Sequence, residues 1–197
     1  MEVAYTLNNL GWVYIDRDDL DTADSLFRRS LAIRQKSVGN KHPSVGLAMH
    51  SLATLVYFPK NDLERAEVQI TGALEIFRTS RPGNHPNTAI LNSMGRLRIK
   101  QGDPRAAEPF FRETVSMRAS LFGECDPLVS RTTFELVDCL KEQRQYNEAE
   151  SILLSTVENA EDASLKDEAL NRLAELYNAW GRPEKAEASR LLVTGTN

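Results

Sequence analysis

The chain has 197 residues, 41% hydrophobic and 26% charged, a composition that supports a buried core and argues against disorder. Its net charge of −4 gives no electrostatic footprint for a polyanion, so no nucleic-acid partner is expected. No apolar run approaches the roughly 18 residues that span a bilayer, and no basic-then-apolar leader opens the chain, so a cytoplasmic protein without a membrane partner is expected.

In chain order, helices are predicted over residues 3–16, 20–38, 44–58, 62–80, 87–101, 104–122, 128–143, 146–160, 164–180 and 183–193. Leu7, Leu10 and Tyr14 set a helical rhythm in the first, and Ala23, Phe27, Leu31 and Arg34 continue it in the second. His42-Pro43, His85-Pro86 and Asp126-Pro127 punctuate the starts of successive pairs. Asp103-Pro104 reads as an N-cap with a first-turn proline, and Arg182-Pro183 repeats the proline placement after Gly181.

The helices repeat as pairs. Leu10-Gly11, Leu52-Ala53, Met94-Gly95 and Leu136-Val137 stand 42 residues apart, and Leu173-Ala174 follows after 37. Ala23, Ala107, Ala149 and Ala186 lie 13 residues beyond their leading residues, but Ala66 lies 14 beyond Leu52. The second copy therefore carries one extra residue, expected within Phe58-Pro59-Lys60-Asn61-Asp62. Small residues at these places let antiparallel helices approach closely. The repeats are expected at about 3–43, 44–86, 87–127, 128–162 and 163–193, in one domain.

Leu10-Gly11-x-x-Tyr14 followed by Ala23-x-x-x-Phe27 resembles the tetratricopeptide signature. The 42-residue period, with Leu7-Asn8-Asn9-Leu10-Gly11, Ala32-Ile33-Arg34 and Gly39-Asn40-Lys41-His42-Pro43, is similar to the kinesin-light-chain type of repeat. The resemblance implies an all-α, right-handed superhelical solenoid of about five antiparallel helix pairs. It also implies a protein-interaction scaffold or peptide-binding module, with first helices lining a concave groove and a protein or extended peptide as partner.

Projecting that geometry onto the chain puts Tyr5, Asn8, Trp12 and Ile15 in the groove from the first helix, and His50, Thr54 and Tyr57 from the third. Asn92, Arg96 and Lys100 follow, then Arg131, Phe134, Asp138 and Lys141, then Asn171, Glu175 and Asn178. Asparagine amides both donate and accept, which suits an extended backbone. The resemblance assigns cargo contact to Asn8 and Asn9, and by extension to Asn92 and Asn171. Arg96, Lys100 and Arg131 suit a carboxylate ligand or, equally, pairing with Asp138 and Glu135.

Catalysis is not expected. The chain lacks a phosphate loop, a His-Glu-x-x-His zinc motif and a Cys-x-x-Cys unit, so no cofactor or metal is expected. His42 and His85 fall at matching junctions and read as structural turns, while His50 is solitary. Cys125 and Cys139 are read as reduced thiols. Two further readings stand beside the scaffold: self-association through uncapped repeat edges, and a peptide-sensing regulatory domain of a larger signalling protein. Helical signal close to Met1 suggests excision from a longer chain, whereas the short fifth repeat and the polar Val193-Thr194-Gly195-Thr196-Asn197 tail suggest a true C-terminal end.

Overall fold

The computed structural model describes residues 1–80, 86–160 and 162–194. His85, Gly195, Thr196 and Asn197 lie outside these residues, and with them the readings made on the second histidine junction and the end of the tail. Among the described residues there are ten α-helices and no strand. They fall into two compact units, Met1–Gln101 and Gly102–Asn197.

Unit 1 contains α1 (Glu2–Asp16), α2 (Leu20–Val38), α3 (Pro43–Leu52) with a π-helical continuation over Ala53–Tyr57, α4 (Leu63–Ser80) and α5 (Pro86–Lys100). Unit 2 contains α6 (Pro104–Phe122), α7 (Pro127–Glu142), α8 (Tyr146–Asn159), α9 (Ala163–Ala179) and α10 (Pro183–Thr194). Within each unit every helix packs on the next in the chain. The predicted boundaries agree within a few residues because the start signals are local. Asp19, Asp103, Asp126 and Asp162 each accept a backbone N–H in the first turn of the following helix, and prolines 104 and 127 sit where no N–H is needed. At His42 the Nδ1 accepts the Ser44 N–H at 3.1 Å, so this histidine is a cap, as the turn reading held.

The hairpin turns share one construction. Asp19, Asp62, Gln145 and Arg182 each donate a backbone N–H, at 2.8–2.9 Å, to the carbonyl of Tyr14, Tyr57, Leu140 and Tyr177, five residues back. The residue before each donor is left-handed: Asp18, Asn61, Arg144 and Gly181; Gly102, ahead of Asp103, is left-handed as well. This construction locates the extra residue of the second repeat. From Leu10, Leu136 and Leu173 the acceptor carbonyl lies four residues on, but from Leu52 it lies five on, at Tyr57. The insertion is therefore inside the π turn and not in the 58–62 connection where it was expected. Phe58 N–H donates to the Ala53 carbonyl at 2.9 Å, the widened ring that absorbs one residue without changing the turn.

Cores form where the repeated small residues lie. A Cβ on Gly11 would stand 3.0 Å from the Phe27 ring, and one on Gly46 would stand 3.0 Å from the Phe77 ring, so these helix pairs are as close as their backbones allow. Ala23, Ala66, Ala107, Ala149 and Ala186 are completely buried, and Phe27, Ile70, Phe111 and Leu153, one turn later, fill the space beside them.

An acid follows each of these alanines, and after Ala23, Ala66, Ala107 and Ala149 it fastens one repeat to the next. Asp24 accepts the Tyr57 hydroxyl at 3.2 Å, with the Arg65 guanidinium 4.9 Å over that ring. Glu67 takes Arg98 and Gln101, both at 2.8 Å. Glu108 accepts the Gln143 amide at 2.8 Å, and Glu150 accepts the Tyr177 hydroxyl at 2.7 Å and Lys185 at 2.8 Å. Hydrogen bonds from Gln101 and Arg98 hold Glu67 below the usual carboxylate range, and those from Lys185 and Tyr177 do the same for Glu150.

Candidate interaction surface on the first helices

The α1 sequence divides into three faces at 100° per residue. Ala4, Leu7 and Gly11 are buried, and Gly11 lies against α2. Tyr5, Asn9 and Trp12 form a second row at spacings of four and three, and all three are exposed. Tyr5 is anchored at its rim: the buried Arg34 guanidinium lies 4.7 Å over its ring, and Arg34 Nε donates to Ser30. Asn8, one position before Asn9, is half-buried.

On α3, His50 is not a free surface group. Its Nε2 lies 2.8 Å from Ser93 Oγ on α5, and burial pushes the imidazole down to about 4, so it is neutral near neutral pH. Thr54 is half-buried and donates to the His50 carbonyl at 2.9 Å. Tyr57 does not belong to this surface. It is 2% exposed, and the π turn has rotated it to the place Tyr14 holds on α1, where it meets Asp24. Counting 50, 54, 57 along an ideal α-helix could not see that rotation. On α5, Asn92 is buried whereas Arg96 and Lys100 are exposed, the Lys100 ammonium lying 5.8 Å from the Phe58 ring.

Unit 2 shows the same organisation. Phe134 on α7, expected as a groove residue, is 3% exposed because the Arg172 guanidinium of α9 stacks 4.5 Å over it. Asp138 is half-buried and taken by Arg172 and Lys141 at 2.8 and 2.9 Å, so its charge is spent inside the fold. Arg131 and Asn171 are exposed, and Lys141 reaches Glu175 at 3.7 Å. Arg96 and Lys100 belong to unit 1 and Arg131 to unit 2.

His50–Ser93 and Phe134–Arg172 are one contact made twice. In each, a residue at the Asn8 position of one first helix touches the residue at the Asn9 position of the next. The spacing signal for it was present, since both pairs obey the repeat, but burial at that column depends on a neighbouring helix. Among the described residues no cluster of three or more His, Cys, Asp or Glu could hold a metal. No helix among them is long and apolar enough to cross a membrane.

Residues 3–44 and 88–127 match the profile of the tetratricopeptide repeat family. No curated protein sequence matches the chain significantly. Among solved structures, the chain is similar to the nearly identical TPR-like repeats of a kinesin-light-chain-like protein from Podosopora anserina, at 20% identity and TM-score 0.87 over 97% of this chain and 92% of that one. BtubC (BKLC) from P. vanneervenii is similar at 19% identity and TM-score 0.81, over 95% of this chain and 77% of that one. YrrB, described as a TPR protein with an unusual peptide-binding site, is similar at 17% identity and TM-score 0.62 over 93% and 80% of the two chains. The two matched stretches are tetratricopeptide repeats, and the fold of the chain is that of the tetratricopeptide solenoids. Its repeats are of the kind seen in kinesin-light-chain-like structures, a fold that serves in general as a protein-interaction scaffold.

Proposed function

We propose that the chain is a peptide-binding module whose first helices receive an extended protein segment, with α1 as the principal contact. The observation that carries this reading is the exposed Tyr5–Asn9–Trp12 row. An aromatic at 44% exposure beside an amide, on a face turned away from the core, offers contact area and backbone hydrogen bonding together. The structural likeness to YrrB, whose description includes a peptide-binding site, supports the same reading.

The surface that remains after the fold has used His50, Tyr57, Asn92, Phe134 and Asp138 is smaller than the sequence suggested. In unit 1 it comprises Tyr5, Asn8, Asn9, Trp12, Thr54, Arg96 and Lys100. In unit 2, Arg131 and Asn171 hold corresponding positions. A peptide library displayed on phage, panned against the whole chain, tests the proposal. Selected peptides should bind the Asn9→Ala/Trp12→Ala variant about tenfold or more weakly, a loss of about 1.4 kcal/mol or greater. Equal affinity for the folded variant would move binding off this row.

A further inference from the structure

The third face of α1 is the row Val3, Thr6, Leu10 and Val13, at spacings of three, four and three. All four residues are exposed. Leu10 is 42% exposed, whereas Leu52, Met94, Leu136 and Leu173 at the same repeat position are 4% exposed or less. Val13 is likewise 42% exposed, against complete burial of Val56, Leu97, Cys139 and Leu176. Thr6 is exposed, and its counterparts Ala48, Ile90, Thr132 and Ala169 are buried.

The difference has one source. In α3, α5, α7 and α9 the second helix of the preceding repeat packs alongside: α2 on α3, α4 on α5, α6 on α7 and α8 on α9. Only α1 lacks such a neighbour among the described helices, and only its row is uncovered. The α1 row also copies that of α3 in size, Val-Thr-Leu-Val against Val45-Ala48-Leu52-Val56. Beside the α3 row stand two polar receivers for α2: the Tyr57 hydroxyl meets Asp24 at 3.2 Å and the Lys60 ammonium meets Asp21 at 2.6 Å. Tyr14 and Arg17 occupy those two places on α1, with the guanidinium 5.8 Å from the ring.

We propose that this row, with Tyr14 and Arg17 beside it, is a docking surface for an amphipathic helix of α2 chemistry. Such a helix carries two acids three residues apart in its first turns, to meet Arg17 and Tyr14, and an apolar stripe behind them to cover Val3, Leu10 and Val13. The surface is distinct from the Tyr5–Asn9–Trp12 row, which lies about 110° away around the helix. Its occupant is a helix, where that of the other row is an extended segment.

The test uses the whole chain and a fluorescent synthetic peptide of residues 19–39, the segment that covers the matching row of α3. Anisotropy should rise saturably and peptide helicity should increase with it. Leu10→Glu should weaken binding about tenfold or more while leaving the thermal midpoint in place, because Leu10 is exposed. A peptide with Asp21→Lys and Asp24→Lys should also bind more weakly, and Asn9→Ala/Trp12→Ala should bind as wild type does, which separates this surface from the peptide groove. Three results overturn the proposal. One is no saturation up to about 1 mM peptide. Another is binding indifferent to Leu10→Glu, which marks exchange with the chain's own α2 at α3. The third is a dimer in sedimentation velocity that Leu10→Glu dissolves, which makes a second copy the occupant.

Discussion

Units 1 and 2 solve the same packing problem with different residues, and the differences show what the repeat constrains. The joint between first helices is a neutral histidine against a serine in unit 1 and an arginine stacked on a phenylalanine in unit 2. The acid latch closes on a tyrosine in both, Asp24–Tyr57 and Glu150–Tyr177. In unit 1 that tyrosine arrives through a π turn, and in unit 2 through regular helix. What is held constant is the position of the turn and of the latch. Residue identity, and even residue count, varies around them.

The sharpest way to break this comparison is to shorten each helix by one residue. Deleting Leu55 should return α3 to regular pitch, keep Tyr57 on Asp24, and change stability in urea by less than about 1 kcal/mol. Deleting Glu175 from α9 should rotate Leu176 and Tyr177 about 100° out of the core and cost roughly 3–5 kcal/mol, the scale of losing a large buried side chain. Similar losses for both deletions would mean that the π turn is essential packing, not an absorbed insertion.

Acid separates the two joints next. The His50 value lies near 4 in the fold against an ordinary 6.5, so the unfolded chain binds more protons between those limits. Its contribution is complete above about pH 6.5 and is lost as pH falls towards 4, amounting to at most about 3 kcal/mol. Chemical denaturation from pH 7 to 4 should show this slope in wild type, and His50→Gln should flatten that part of it.

The latches should differ by less. Tyr177→Phe should cost about 1–3 kcal/mol, because it removes a 2.7 Å hydrogen bond to a carboxylate. Tyr57→Phe should cost less, its bond being 3.2 Å. With the hydroxyl at Tyr177 pushed up to about 12 by burial and by Glu150, the latch stays protonated through the alkaline range where denaturation is measured. The smallest effect is at the turns: Arg144 is left-handed where Gly102 and Gly181 are glycines, so Arg144→Gly should raise stability by about 0.5–1 kcal/mol. Thermal melts of the pair resolve it.

Much of this organisation was legible in the sequence. Helix ends were readable because Asp103, Asp126 and the prolines act on the backbone beside them. The repeat was readable because Ala23 and its counterparts sit at fixed distances. The place of the inserted residue was not, since spacing counts an extra residue between Leu52 and Ala66 without saying whether helix or loop absorbs it. For the same reason Tyr57 was assigned to the wrong face. Asn92 and Phe134 misled differently, because their burial comes from other parts of the fold and not from their own helix. Trp12, Asn9 and Tyr5 are exposed, because no other described helix packs over their side of α1.

The two thiols turn unit 2 into its own stopwatch. Cys139 is completely buried, donates to the Pro104 carbonyl at 2.9 Å and is pushed up to about 11 by burial, whereas Cys125 is exposed. A thiol reagent should therefore consume one equivalent at once and the second only when α7 parts from α6. Because Cys139 stands at the repeat position of Val13, the slow phase clocks how often a first helix separates from the second helix that covers it, without any label being introduced.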